Sequence, residues 1–234
     1  MEVMPFAYYK KLNARQKRIY DRSEAVPSLK LPSAAKLRPL VDAIAAALAL
    51  EDRRKTEKAA GEFTENLLRT LRVSLVNVKV LAKRPSNRWG ELHGLYEPSD
   101  GKSRPLLTVW MRTAMRKDVV AFKTFLRTLL HEIGHHLDYE LLGLEDSYHT
   151  QGFYKRESSL YHQLVPDPQR YAAKPAAKSK SPVRTATKVA VPRGAKRPTT
   201  GKKAAAKAPA KTAVAPPKPV SLKKKEPQQG SLFD

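Results

Sequence analysis

The residues best equipped for chemistry are His131, Glu132 and His135, which stand as H-E-x-x-H in His131-Glu132-Ile133-Gly134-His135. They fall in a run where Phe122, Leu126, Leu129, Ile133, Leu137 and Leu141 recur every three or four residues, the spacing of one apolar helix face. On such a helix His131 and His135 project from the same side, one turn apart. Two imidazoles so placed can share one zinc ion. Glu132 then stands beside the metal as a base for an attacking water. This is the equipment of metal-dependent peptide hydrolysis. The plainer alternative is a helix that carries two surface histidines.

A catalytic zinc normally takes three protein ligands and leaves one position open. The candidates downstream are Asp138, Glu140, Glu145, Asp146, His149 and His162. Asp138 is close enough in sequence to lean toward the metal, but one straight helix rarely supplies all three ligands, and Glu140 points away. A metzincin would need Gly and His where this chain has Asp138 and Leu141, so that subclass is excluded. His149 follows Gly143, a helix stop after which the chain can turn back. A carboxylate from Glu145 or Asp146 is the alternative third ligand. His136, next to a ligand on the helix, is expected in supporting or surface contacts. His93 is expected on the surface or in the cleft, and His162 as a packing histidine. Tyr148 is a candidate either for hydrogen bonding a developing oxyanion or for packing.

Other elements must position this helix. Leu37, Leu40, Val41, Ile44 and Leu48 form one helical stripe, and Phe63, Leu67, Leu68 and Leu71 a second. Val76, Val78 and Val80 alternate with Asn77 and Lys79, as in a half-buried strand. Further strands are expected at Leu92 to Tyr96 and, past the turn signal Pro98-Ser99-Asp100-Gly101, at Leu106 to Met111. Asp118 is the expected N-cap of the motif helix and Gly143 its stop. A last helix is expected from Gly152 to Val165. Helices, then strands, then helices predict an α+β domain rather than a wound parallel sheet.

Composition sets the remaining bounds. The chain has 234 residues, no cysteine and a formal net charge of +23. Disulfides and cysteine zinc ribbons are therefore excluded. No apolar leader or membrane-length run is seen, which predicts a cytoplasmic protein. A folded domain is expected over residues 1–166. Residues 167–226 are rich in Lys, Ala and Pro and should be disordered. From Asp167 to Asp234 there are 17 Lys and Arg against 3 Asp and Glu, so +14 of the charge lies there and +9 in the folded part. Such a tail is expected to bind DNA phosphates with little sequence preference, making the protein nucleoid-associated. The plain alternative is a solvated linker.

H-E-x-x-H followed, one helix end and a loop later, by His149 with Phe153 four residues on resembles the SprT-like (Spartan-type) zinc metalloproteases. The resemblance covers roughly residues 70–165. It implies a zincin-like domain in which His131, His135 and His149 bind zinc and Glu132 is catalytic. It also implies that the strand from Leu106 to Met111 forms the cleft edge on which an extended peptide pairs. Two departures stand out: Thr150 and Gln151 separate His149 from Gly152, and the cysteine ribbon of many members is missing. The repeats KPAAK and KKAAAKAPAK resemble linker-histone tails in composition. Residues 227–234 hold a second resemblance. Gln229, Gly230, Ser231, Leu232 and Phe233 resemble the peptide by which bacterial repair and replication proteins dock on the sliding clamp, with Gly230 in place of the preferred aliphatic.

Three functional expectations follow. The first is a zinc endopeptidase that acts on DNA-associated proteins, as in DNA–protein crosslink repair, with the tail on DNA and the terminal peptide on the clamp. The second is a regulatory zincin that cleaves one intracellular protein, such as a repressor. The third is a non-enzymatic nucleic-acid-binding protein that retains the zinc fold as a scaffold.

Overall fold

The computed structural model describes residues 5–87 and 90–171. A 3-10 turn at Ala7–Lys11 leads into three helices, α1 (Ala14–Glu24), α2 (Ala34–Ala49) and α3 (Arg53–Leu71). Asn13 starts α1 with a capping box: its side chain accepts from the Gln16 N–H, and the Gln16 side chain accepts from the Asn13 N–H. Asp52 caps α3 by accepting from the Lys55 N–H at 3.0 Å. The two apolar stripes read from the sequence lie on α2 and α3. Val41, Ile44, Phe63, Leu67 and Leu68 are fully buried in one core.

Five short strands follow: β1 (Asn77–Lys83), β2 (Ser86–Asn87), β3 (Gly90–Glu91), β4 (Gly94–Glu97) and β5 (Leu106–Arg112). β2 and β3 make a small hairpin, while the main sheet has the order β1-β5-β4. β5 runs parallel to β1, with Val80 opposite Val109, and antiparallel to β4, with Tyr96 opposite Leu107. The domain is therefore α+β with a small mixed sheet, as the order of elements predicts. The expected cleft edge is corrected, however. The strand from Leu106 lies in the middle of the sheet, and Leu107 to Met111 are all buried. The outer strand is β4. The reason is visible in the residues: an unbroken apolar run with Thr108 and Trp110 both buried is a two-sided interior strand, whereas Leu95 and Glu97 of β4 are exposed.

α4 (Phe122–Glu140) carries the H-E-x-x-H motif. Its N-cap is Ala121, not Asp118. The chain beyond β5 first folds back on itself: Arg112 bridges Val119, and the Thr113 N–H donates to the Asp118 carbonyl at 3.0 Å. Asp118 is thus committed to the turn that closes β5. The C-terminal stop is as expected. Gly143 has φ 58°, in the left-handed region that glycine enters without Cβ strain. α5 (Gln151–Leu164) begins at Thr150, whose hydroxyl accepts from the Phe153 N–H at 2.9 Å.

Regular structure continues past Pro166, where the tail was expected to begin. Pro168–Tyr171 form a 3-10 turn. The Tyr171 ring lies 4.3 Å from that of Phe122, and Arg170 pairs with Asp42 at 3.0 Å. The aromatic ring at 171 thus docks the end of this turn on α4. Among the described residues, no helix is long and apolar enough to cross a membrane.

One buried cation joins three helices. Arg156 of α5 donates to Asp138 of α4 at 2.6 Å, and to the carbonyls of Ser23 and Val26 at the end of α1, each at 2.6 Å. Both side chains of the ion pair are almost fully buried. Arg156→Met leaves the Asp138 carboxylate without its main partner, and the expected loss of stability is about 3–5 kcal/mol. Urea unfolding of the metal-free protein measures it. A midpoint equal to wild type would show that the pair contributes nothing net.

Candidate metal centre

His131 and His135 stand one turn apart on α4, and the loop after Gly143 returns His149 to face them. The Nε2 atom of His149 lies 2.9 Å from Nε2 of His131 and 3.1 Å from Nε2 of His135. Tetrahedral ligands at about 2.0–2.1 Å from one ion are about 3.3 Å apart, so this cluster is close to the required size.

The remaining ring nitrogens of His131 and His135 fix the tautomers of these two rings. His131 Nδ1 is 3.2 Å from the Glu157 carboxylate, which can only accept, so Nδ1 carries the proton. His135 Nδ1 is 2.7 Å from the Ser147 hydroxyl, which itself donates to Asp138 at 2.7 Å. The hydroxyl must then accept from His135. Both rings therefore present an Nε2 lone pair to the same point. His149 Nε2 faces both of them, and this donor set of three imidazoles suits a borderline divalent ion. Burial, reinforced by His131 and His149, holds the His135 pKa down at about 3, and burial also lowers that of His149. Both shifts favour the neutral form that a metal ligand needs. Phe153 supports the group from below, its ring centroid 4.9 Å from those of both His131 and His135. Gly134 leaves room for it, since a Cβ there would meet the Phe153 ring at 3.0 Å.

Glu132 is 5% exposed, and burial pushes its carboxyl up to about 7. It stands at the junction of two hollows that share Gly94, His131 and Glu132. One, about 310 Å³, is walled by Leu95, Tyr96, Pro98 and Tyr139 and reaches His135 and His149. The other, also about 310 Å³, is lined by His93, Arg127, Thr128 and Glu157. Together they form a cleft between β4 and α4, with the histidines and the carboxylate at its centre.

The other candidates fall elsewhere. Glu145 pairs with Arg15, and Asp146 accepts from the Ser147 N–H at 2.8 Å, so the geometric cluster contains histidines only. Asp138 does not reach the metal position; it orients His135 through Ser147. Glu140 turns away to accept from Ser74. His136 is fully buried. Its Nε2 donates to the Ser74 carbonyl at 2.8 Å, and its Nδ1 accepts from the Tyr96 hydroxyl at 3.1 Å. His93 is a cleft residue. His162 is exposed rather than packed, because its position on α5 faces away from Leu160 and Leu164. Tyr148 does not line either hollow, whereas Tyr96 and Tyr139 line the one that reaches His135 and His149. Gln229, Ser231, Leu232 and Phe233 lie outside the described residues, as does the tail from residue 172 onward.

Four residues of the site carry no signal in the sequence that marks them: Gly94, Tyr96, Ser147 and Glu157. None belongs to the motif, and each reaches it through a tertiary contact. No family model matches this chain, and neither does any curated protein or any solved structure.

Proposed function

We propose that this chain is a zinc-dependent endopeptidase that acts on proteins bound to DNA, the role its SprT-like motif pattern implies. The supporting observation is the meeting of three histidine Nε2 atoms beside a buried carboxylate, in a cleft bounded by an outer strand. His131, His135 and His149 would hold the zinc. When bound, zinc polarises the scissile carbonyl and makes water acidic enough to attack near neutral pH. Glu132 takes the proton of the attacking water and delivers it to the leaving amine nitrogen. The outer edge of β4 offers backbone groups to an extended peptide, so shape and flexibility select the substrate more than sequence. The peptide then crosses Gly94 with its scissile bond over Glu132. Glu157 and the Asp138–Ser147 pair fix the tautomers of the ligand rings.

The DNA assignment rests on sequence. A tail with a net charge of +14 collects phosphates by counterion release. The Gln229 to Phe233 peptide would add a sliding clamp as partner, tethering the protease near replicating DNA. That combination fits DNA–protein crosslink repair at the nucleoid.

The test uses the full chain with one equivalent of zinc and a DNA-binding protein as substrate, with single-stranded, double-stranded or no DNA. Cleavage is expected only with DNA, to fall steeply with salt, to stop with chelator and to return on adding zinc. No cleavage by the zinc-loaded chain under any condition would refute the endopeptidase. Equal cleavage of one protein without DNA would favour the regulatory protease instead.

A further inference from the structure

Of the three histidines, only His149 is carried by a loop, and that loop is held by the opposite end of the chain. The Tyr8 hydroxyl donates to the His149 carbonyl at 2.8 Å, across 141 residues of sequence. The same N-terminal stretch reaches the imidazole side of the residue. The Phe6 ring meets the Tyr154 ring edge-on at 6.2 Å, and Tyr154 stacks on His149 at 5.8 Å with an 18° interplanar angle.

α1 grips the loop on both flanks. Before His149, Arg22 donates to the Leu142 carbonyl at 3.2 Å. After it, the Ser23 and Thr150 hydroxyls bond at 3.2 Å, and the Gly152 N–H donates to Glu24 at 3.1 Å. The approach is close enough that a Cβ on Gly152 would sit 2.5 Å from the Ser23 carbonyl oxygen. α1 therefore fixes where the loop begins and ends, and the Tyr8 bond fixes the peptide plane of the ligand itself. A loop without such ties samples many backbone states, and ordering it costs roughly 1–2 kcal/mol per residue.

We propose that Tyr8 is a positioning residue of the metal centre, setting through the His149 carbonyl how tightly the third ligand holds the ion. This rests on the reading of the three histidines as a metal site. The N-terminal segment thereby acts on metal retention without entering the cleft. Its chemical demand is specific: a hydroxyl donor at the position of the Tyr8 oxygen, which phenylalanine lacks while keeping the ring.

The test is the rate at which a coloured chelator strips zinc from the full chain, together with the visible spectrum of the cobalt(II)-substituted protein. Tyr8→Phe is expected to release metal about 5–10-fold faster, the equivalent of one lost hydrogen bond, and to alter the cobalt spectrum. Tyr9→Phe is the control. Its hydroxyl bonds Asp21 at 3.2 Å on the same segment, so it should leave both readouts unchanged. His149→Ala marks the limit of a lost ligand. Wild-type release and spectrum in Tyr8→Phe would overturn the proposal, as would equal acceleration in Tyr9→Phe. A wild-type protein that binds neither zinc nor cobalt would remove the metal-site reading itself, and this proposal with it.

Discussion

Glu132→Gln is expected to keep its zinc and its fold and to lose about 10²–10⁴-fold in peptide cleavage, the usual contribution of a positioned general base. Glutamine fills the same buried space between α4 and β4, so packing is conserved, but it cannot accept the proton of an attacking water. Burial pushes the Glu132 carboxyl up to about 7 in the metal-free site. A dication beside it favours the charged form and brings the value down. A base works only when ionised, so wild-type kcat/KM should rise with pH along an acid limb whose midpoint lies below 7, and the variant should lose that limb. Zinc stoichiometry, circular dichroism and a pH profile of kcat/KM measure the three claims together. A variant retaining near wild-type kcat/KM would remove Glu132 from the mechanism.

Gly94→Ala should be nearly as damaging, although the residue has no side chain and lies well outside the motif. A Cβ at this position would fall 2.2 Å from Glu132 Oε1 and 2.7 Å from its Cδ. Atoms cannot stay at that separation. The carboxylate has the more flexible attachment, so it is the group that moves. Displacing a catalytic group by about 1 Å costs on the order of 10²-fold in rate. Because the atoms nearest to a Cβ on Gly94 all belong to Glu132, zinc content should stay at one equivalent and the melting temperature should shift little. That split between metal retention and turnover is the distinguishing result. If Gly94→Ala cleaves peptides at the wild-type rate, the Glu132 position in the cleft is not the one that acts.

Sequence alone was enough for the motif helix. The spacing of His131 and His135, the place of Glu132 between them, the apolar stripe from Phe122 to Leu137 and the stop at Gly143 are all set within a few turns by helical geometry, which is local. The stripes of α2 and α3 and the alternation around Val80 were legible for the same reason, and so was the α+β class. Three further matters were settled only by tertiary packing. That His149, rather than Glu145 or Asp146, joins His131 and His135 depended on the N-terminal segment: Arg15 pairs with Glu145, and Tyr8 and Ser23 hold the loop that points His149 inward. The identity of the outer strand depended on β5 pairing with both β1 and β4, a question of strand order that periodicity does not encode. The role of Gly94 came from the approach of β4 to α4, which a glycine in a sequence does not announce. Each of these rests on groups tens of residues apart or more, brought together by burying Leu107, Val109, Leu129 and Ile133 in a single core. Local spacing supplied the reactive groups, and long-range apolar packing decided which of them meet.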